Sequence, residues 1–456
     1  MRRICSYIYG RVVVPAMFVL AAVSCVSDMG LDDEFRPAGN VTVTHGPREP
    51  EEEKRNVLLL YSAGYNSLSD YLQSDIEDIE NGYVPGEGRN DDVLLVYSHC
   101  TAVPGDYVTP VSPILFRLYR DGEGKNVRDT LVVYPDDTRS ATATQLHEVL
   151  SYVKEEFSAK TYGLIFSSHA TGFLPAGYYN SPTDSSFDWD MFSRKRRRIH
   201  SPMPVPYVDV MQDPSLPAVK SIGQDAVGPR GSRVSYEIEL AEFAEAIPMY
   251  LEYILFDACL MGGVEVAYEL KDKCGYVGFS QTEVLAEGFD YTSLTSHLLK
   301  EDPDPMSVCR DFYEQYAMKT GVNQSATISL VDCAAIGTLG DVCALLFEKY
   351  RNEIDSVIAS KVQRYYRYDY HWFYDLRSII SNAGASQDDL DLLDAALDAC
   401  IAYKAATPAF IEGPSYGGFA INEYSGFSMY LPNRGGPNLD KYYRTLAWNM
   451  KTGLVE

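Results

Sequence analysis

Apolar runs of strand length alternate with amphipathic stretches along most of this chain. Residues 56–61, 92–97, 130–134, 162–167 and 253–257 are near-continuous in Val, Leu, Ile, Phe and Tyr. Strands of that composition are buried on both faces, which predicts a parallel sheet. Helical periodicity at 67–82 and 142–157 falls between some of the runs. Strands that alternate with helices predict an α/β fold, a mostly parallel sheet flanked by helices and joined by right-handed crossovers.

From residue 292 onward helical patterns dominate, at 302–318, 333–360 and 387–404, and a hairpin-like segment at 417–430 follows. These predict a C-terminal helical subdomain, 292–456, packed against a catalytic domain at 56–291. Residues 179–233 break the pattern. They are rich in Pro, Ser and Asp, lack periodicity, and are too long for an ordinary connection, so they read as an insert.

The first 24 residues read as an address. Arg2, Arg3 and Arg11 precede an apolar run, and Ala22-Val23-Ser24 is a small-residue cleavage site. Cys25 follows directly, and Ala22-Val23-Ser24-Cys25 resembles the lipobox of bacterial lipoproteins, whose cysteine is acylated. Residues 25–55, with Asp28, Asp32, Asp33 and Glu34 near their start, read as a flexible stalk. They resemble the acidic tether of surface-exposed lipoproteins in Bacteroides-like bacteria. The expected location is the cell envelope of a Gram-negative bacterium, on the outer membrane and facing outward. An ordinary secreted protein with an incidental Cys25 is the alternative.

Charge narrows the partners. Lys and Arg total 39 against 64 Asp and Glu in 456 residues, a formal charge of −25. That balance argues against a nucleic-acid partner and against loose binding to an anionic membrane, and it favours basic substrates. Of nine cysteines, Cys5 falls in the leader and Cys25 in the lipobox. The remaining seven form no C-x-x-C pattern, so the sequence predicts neither a zinc site nor a complete disulfide framework.

In open sheets chemistry gathers beyond the carboxyl ends of the strands. Ser167-Ser-His-Ala-Thr-Gly172 follows one run and Asp257-Ala-Cys-Leu-Met-Gly-Gly263 another, so His169 and Cys259 reach the same edge. A cysteine peptidase needs this pair: imidazole takes the thiol proton, sulfur attacks a carbonyl, and imidazolium protonates the leaving amine. The backbone N–H groups of Ala170 and Cys259 are the candidates to hold the oxyanion.

The stretch 256–271 around Cys259, with Ser280-Gln-Thr-Glu283 and Gly288-Phe-Asp-Tyr291, resembles the clostripain family of cysteine peptidases. That family is related in fold to caspases, legumains and gingipains, so the resemblance implies a caspase-like sheet and endopeptidase activity. It also implies an S1 role for Asp257, hence cleavage after Arg or Lys. The plain alternative is an Asp that shapes the turn. The family is processed in the segment after the catalytic His, where Arg194, Lys195, Arg196, Arg197 and Arg198 form the densest basic run of an acidic chain. Those five residues are the candidates for self-cleavage. No cofactor is expected, and calcium enters by resemblance only. The family commonly has Gly where Ala170 stands. A lipoprotein that keeps the scaffold but acts as a binding or adhesion module is the rival reading. Arg364 to Tyr370 reads as a packing face, and His99, His147, His297 and His371 as structural residues.

Overall fold

The structure is a computed structural model that describes residues 42–43, 55–88, 90–176, 205–206, 219–220, 223–229, 234–367, 371–412 and 418–456. Cys25 and Arg194 to Arg198 lie outside the described residues.

In chain order the strands are β1 (Thr42–Val43), β2 (Asn56–Gly64), β3 (Val93–Cys100), β4 (Ile114–Arg120), β5 (Asn126–Val133), β6 (Thr161–Ser167), β7 (Val205–Pro206), β8 (Val219–Lys220), β9 (Asp225–Val227) and β10 (Val234–Tyr236). They continue with β11 (Leu251–Asp257), β12 (Cys274–Phe279), β13 (Val284–Leu285), β14 (Thr327–Asp332), β15 (Tyr374–Asp375) and β16 (Ile401–Ala406). The helices used below are α1 (Ser69–Asn81), α2 (Ala143–Glu156), α3 (Val264–Leu270), α4 (Pro305–Ala317), α5 (Ile336–Lys349), α6 (Gln387–Cys400) and α7 (Ala447–Thr452).

Ten strands make the main sheet, in the order β1-β5-β4-β3-β2-β6-β11-β12-β14-β16. The five central strands, β3 to β12, are parallel, as the apolar runs predict. Both flanks are antiparallel. The run at 130–134 is therefore the end of β5, in a β4–β5 hairpin, and not a parallel strand. From β2 the chain moves outward through α1 to β3 on one side, while β6 pairs with β2 on the other. The order reverses between β2 and β6, which is where such sheets open a crevice.

Register fixes the core. Tyr61 pairs with Tyr97 and Phe166, and its ring stacks on both, with centroids 4.3 and 5.3 Å away. All three rings are fully buried. Thr142 caps α2, its side chain accepting from the Gln145 N–H, and Leu146, Val149, Leu150 and Val153 on the buried face repeat at helical spacing.

The C-terminal part is less uniformly helical than its patterns suggest. Helix α6 ends at Cys400 and passes into β16, and the 333–360 pattern splits at Tyr350. Strands β14 and β16 extend the main sheet, with α4 packed on them, while α5 packs on α6 and α7. Within 417–430, Phe419–Ala420 pairs with Ala409–Phe410 and Ser428–Met429 with β15, so that segment is not a hairpin of its own.

Candidate active site

Parallel pairing sets Ser167 of β6 opposite Asp257 of β11. His169 and Cys259 each stand two residues beyond that pair, so register alone brings them level at adjacent strand ends. Paired strands run about 4.8 Å apart. The His-bearing loop closes onto the Cys-bearing loop through Gly172. Gly172 has φ +60, and a Cβ there would lie 2.4 Å from the Leu260 carbonyl oxygen. Leu260, directly after Cys259, itself has φ 61. A leucine in the left-handed region is strained, and its N–H is committed to the Thr282 carbonyl at 2.8 Å.

The imidazole is held from the switch-point side. Ser67, just past β2, places Oγ 2.9 Å from His169 Nε2. Ser168 Oγ donates to the Ala63 carbonyl at 2.5 Å and accepts from the Gln224 N–H at 3.2 Å. Asn66 Nδ2 donates to the carbonyls of Ala63 and Gln224, at 2.9 and 2.8 Å. The end of the insert, which returns through Gln224 and β9, is thus tied to the residue before His169. Ala170 is buried and keeps a negative φ, so its Cβ introduces no backbone strain where the family commonly has Gly. The Gly172–Leu260 contact joins the two loops that carry the oxyanion candidates, Ala170 and Cys259.

Cys259 is 1% exposed. Its Sγ accepts from the Val284 N–H at 3.2 Å and lies 3.8 Å from the Val284 carbonyl oxygen. Burial pushes the thiol pKa well above its ordinary value, and the carboxylates of Glu283 and Asp257 push it further, against the Val284 N–H and the Arg367 guanidinium. Desolvation also lowers His169, to about 3. The sulfur is covered by β13. Strand β13 in turn pairs with β8 of the insert, Val284 opposite Lys220 and Leu285 opposite Val219. Cys259 is sheltered, while His169 stands at the neighbouring strand end, half-buried and bonded to Ser67.

Asp257 is fully buried beneath the same segment. Tyr291 donates to its Oδ2 at 2.7 Å and Ser167 Oγ lies 3.5 Å away. Gly288, φ +61, lies so close that a Cβ would fall 2.2 Å from Oδ2. The segment 284–291 therefore closes over both Cys259 and the carboxylate predicted to select the substrate.

Three participants receive no role from the sequence, although Glu283 falls in the Ser280–Glu283 stretch that carries the family resemblance. Ser67 reads there as the start of a helix, and Glu283 and Arg367 are 84 positions apart. Arg367 sits within the predicted packing face, which Tyr365 and Tyr366 do form by being buried. Its guanidinium bonds Glu283 twice through Nε, at 2.9 and 3.2 Å, and once through Nη2, at 3.1 Å. Three of the histidines read as structural have partners of their own. His99 contacts Ser140 and Asp225, His147 the Ala246 carbonyl, and His297 Asp311. Among the described residues no three His, Cys, Asp or Glu side chains group as metal ligands.

The clostripain family model, peptidase C11, matches residues 60–197 and 209–452. An inactive zymogen C11 protease from Parabacteroides distasonis is 25% identical, with a TM-score of 0.67 over 89% of this chain and 99% of that one. A secreted C11 cysteine protease from Bacteroides thetaiotaomicron is 21% identical, with a TM-score of 0.65 over 88% of this chain and 100% of that one. That protein in complex with an irreversible peptide inhibitor matches equally well, covering 99% of that chain. No curated relative matches. This chain belongs to the clostripain family, peptidase C11, and is a cysteine peptidase.

Proposed function

We propose that this peptidase cuts protein chains after Arg or Lys, with Cys259 as nucleophile and His169 as its base, and that it is made as a latent precursor. The pairing of Ser167 with Asp257 carries the reading, because it sets both groups at one sheet edge. In the reaction His169 takes the Cys259 proton while sulfur bonds the scissile carbonyl carbon. The resulting oxyanion is held by backbone N–H groups of Ala170 and Cys259. The C–N bond then breaks as His169 returns the proton to the amine, and water hydrolyses the thioester to free Cys259.

Asp257 supplies a fixed negative charge beside the nucleophile, the complement of a guanidinium or ammonium at P1. A substrate reaches it only when segment 284–291 moves. Latency follows from the cover over the sulfur, and the β8–β13 pairing supports a role for the insert in holding that cover. Cleavage of the insert at Arg194, Lys195, Arg196, Arg197 or Arg198 would release it. The precursor is carried on the cell envelope through an acylated Cys25, with basic protein segments as substrates and no nucleic-acid partner.

A peptide library read out by cleavage position tests this reading. Cuts after Arg and Lys are expected from wild type and none from Cys259→Ala. Cleavage with no basic preference would overturn the Asp257 assignment.

A further inference from the structure

We infer that Glu283 and Arg367 form an ion-paired positioning unit for the nucleophile: the pair anchors β13 so that the Val284 N–H stays on the Cys259 sulfur, and Arg367 offsets part of the Glu283 charge there. The inference rests on Cys259 being the nucleophile.

The geometry is direct. Glu283 precedes Val284, whose N–H is 3.2 Å from Sγ. The Glu283 and Arg367 side chains are 7% and 6% exposed, and three N–H···O contacts of 2.9 to 3.2 Å join them. A planar guanidinium with two bonds from Nε and one from Nη2 fixes orientation as well as distance. The same segment has a second, separate tie. Thr282 accepts from the Leu260 N–H through its carbonyl, and Thr327 Oγ1 accepts from the Gln281 and Thr282 N–H groups. Segment 281–284 is therefore gripped by the strained turn after Cys259, by β14 and by Arg367 from the C-terminal part. Strand β8 grips β13 from the insert. If the insert is cut, β8 can leave, but the Glu283–Arg367 contact does not depend on it.

A buried carboxylate one residue from the amide that contacts a thiol is costly unless it is neutralised. The charged groups that act on the sulfur are Glu283, Asp257 and Arg367, and His169 follows the neighbouring strand. Glu283 opposes thiolate formation and Arg367 favours it. The carboxylate has the larger effect of the two, and the guanidinium offsets part of it. Replacing one leaves a single uncompensated charge beside Cys259, and the sign of the effect depends on which one is removed.

The test follows the rate of Cys259 alkylation by iodoacetamide against pH, in the full chain as produced by the cell, by mass mapping of the Cys259 peptide. In wild type, alkylation of Cys259 is expected to abolish peptide hydrolysis in proportion. If hydrolysis survives full labelling, the nucleophile assignment fails, and that outcome is distinct from failure of the pair. Arg367→Met should move the alkylation midpoint up by about one pH unit and slow labelling at pH 7 by about tenfold, the size of effect a neighbouring charge has. Glu283→Gln should move the midpoint down. Combined in one chain, the two changes should bring it back toward wild type. A merely structural role predicts shifts of the same sign in both single variants, or none, and either result overturns the inference. Glu283→Gln is nearly isosteric, so should Arg367→Met not fold, a downward midpoint in folded Glu283→Gln upholds the pairing and an unmoved or raised one refutes it.

Discussion

Substituting Gly172 by Ala tests whether the contact between the two catalytic loops positions the dyad. The new Cβ would start 2.4 Å from the Leu260 carbonyl oxygen, whereas ordinary contact begins at 3.4 Å, so the loops must part by about 1 Å. Alanine at φ +60 also carries a backbone cost of about 1–2 kcal/mol, and the overlap adds about 1–3 kcal/mol where the backbone cannot yield. Against a folding stability of about 5–15 kcal/mol the chain remains folded, with Tm lower by several degrees. Rate is affected more severely, because a displacement of about 1 Å at reacting groups costs about 100-fold. Gly124→Ala is the control. Gly124 has φ +82 in the β4–β5 turn with nothing within 4 Å, so it meets the backbone cost without touching the site. The assay is kcat/KM on a processed enzyme alongside thermal unfolding of both variants. If Gly172→Ala keeps kcat/KM within about threefold of Gly124→Ala at equal Tm, the loop contact does not set the geometry and the reasoning fails.

Four further outcomes are expected. Asp257→Asn should lower kcat/KM for Arg and Lys substrates by about 10-fold or more relative to neutral ones, since a charge-assisted contact is replaced by a neutral one; an unchanged ratio in the peptide library rules out the S1 role. Cys259→Ala should stay a single chain where wild type gives two fragments on a gel, and equal cutting of the two would show that the insert is cut by another protease. The mature protein should carry an acylated N-terminal Cys25 by mass spectrometry, and an unmodified start elsewhere would contradict the anchor. Burial lifts the Glu265 carboxyl from 4.5 to about 7, although the Tyr430 N–H and the Tyr443 hydroxyl bond to it. The folded state then binds more protons than the unfolded one between those values, so unfolding free energy should fall as pH rises from 4.5 to 7, by up to about 3 kcal/mol. Glu265→Gln should flatten that part of the urea-unfolding profile, and a slope equal to wild type would show that Glu265 does not carry it.

The central strands and the placement of His169 and Cys259 at adjacent strand ends are legible in the sequence because both depend on short-range pattern. An apolar run buried on two faces identifies itself, and a His or Cys just beyond its end inherits a position from the sheet. The flanking strands are harder to see. Ile401-Ala-Tyr-Lys-Ala-Ala406 is half exposed and contains strong helix formers, directly after α6, and only its pairing with β14 makes it a strand. Thr327–Asp332 is a short strand between helical patterns and receives its register from β12. The Ser67 contact with His169 depends on the reversal of strand order between β2 and β6, a property of topology. The Glu283–Arg367 pair spans 84 residues and belongs wholly to tertiary structure. The cover over Cys259 follows the same rule, since two residues of the insert find β13 only once the sheet has brought them together.

Labelling with an irreversible peptidyl acyloxymethyl ketone that carries Lys at its reactive end measures the central claim most directly, read by peptide mapping against residual hydrolysis. The account predicts one label per active chain, on Cys259, loss of hydrolysis in step with labelling, and no label in His169→Ala. A label on another cysteine, or full hydrolysis by Cys259→Ala, would contradict it.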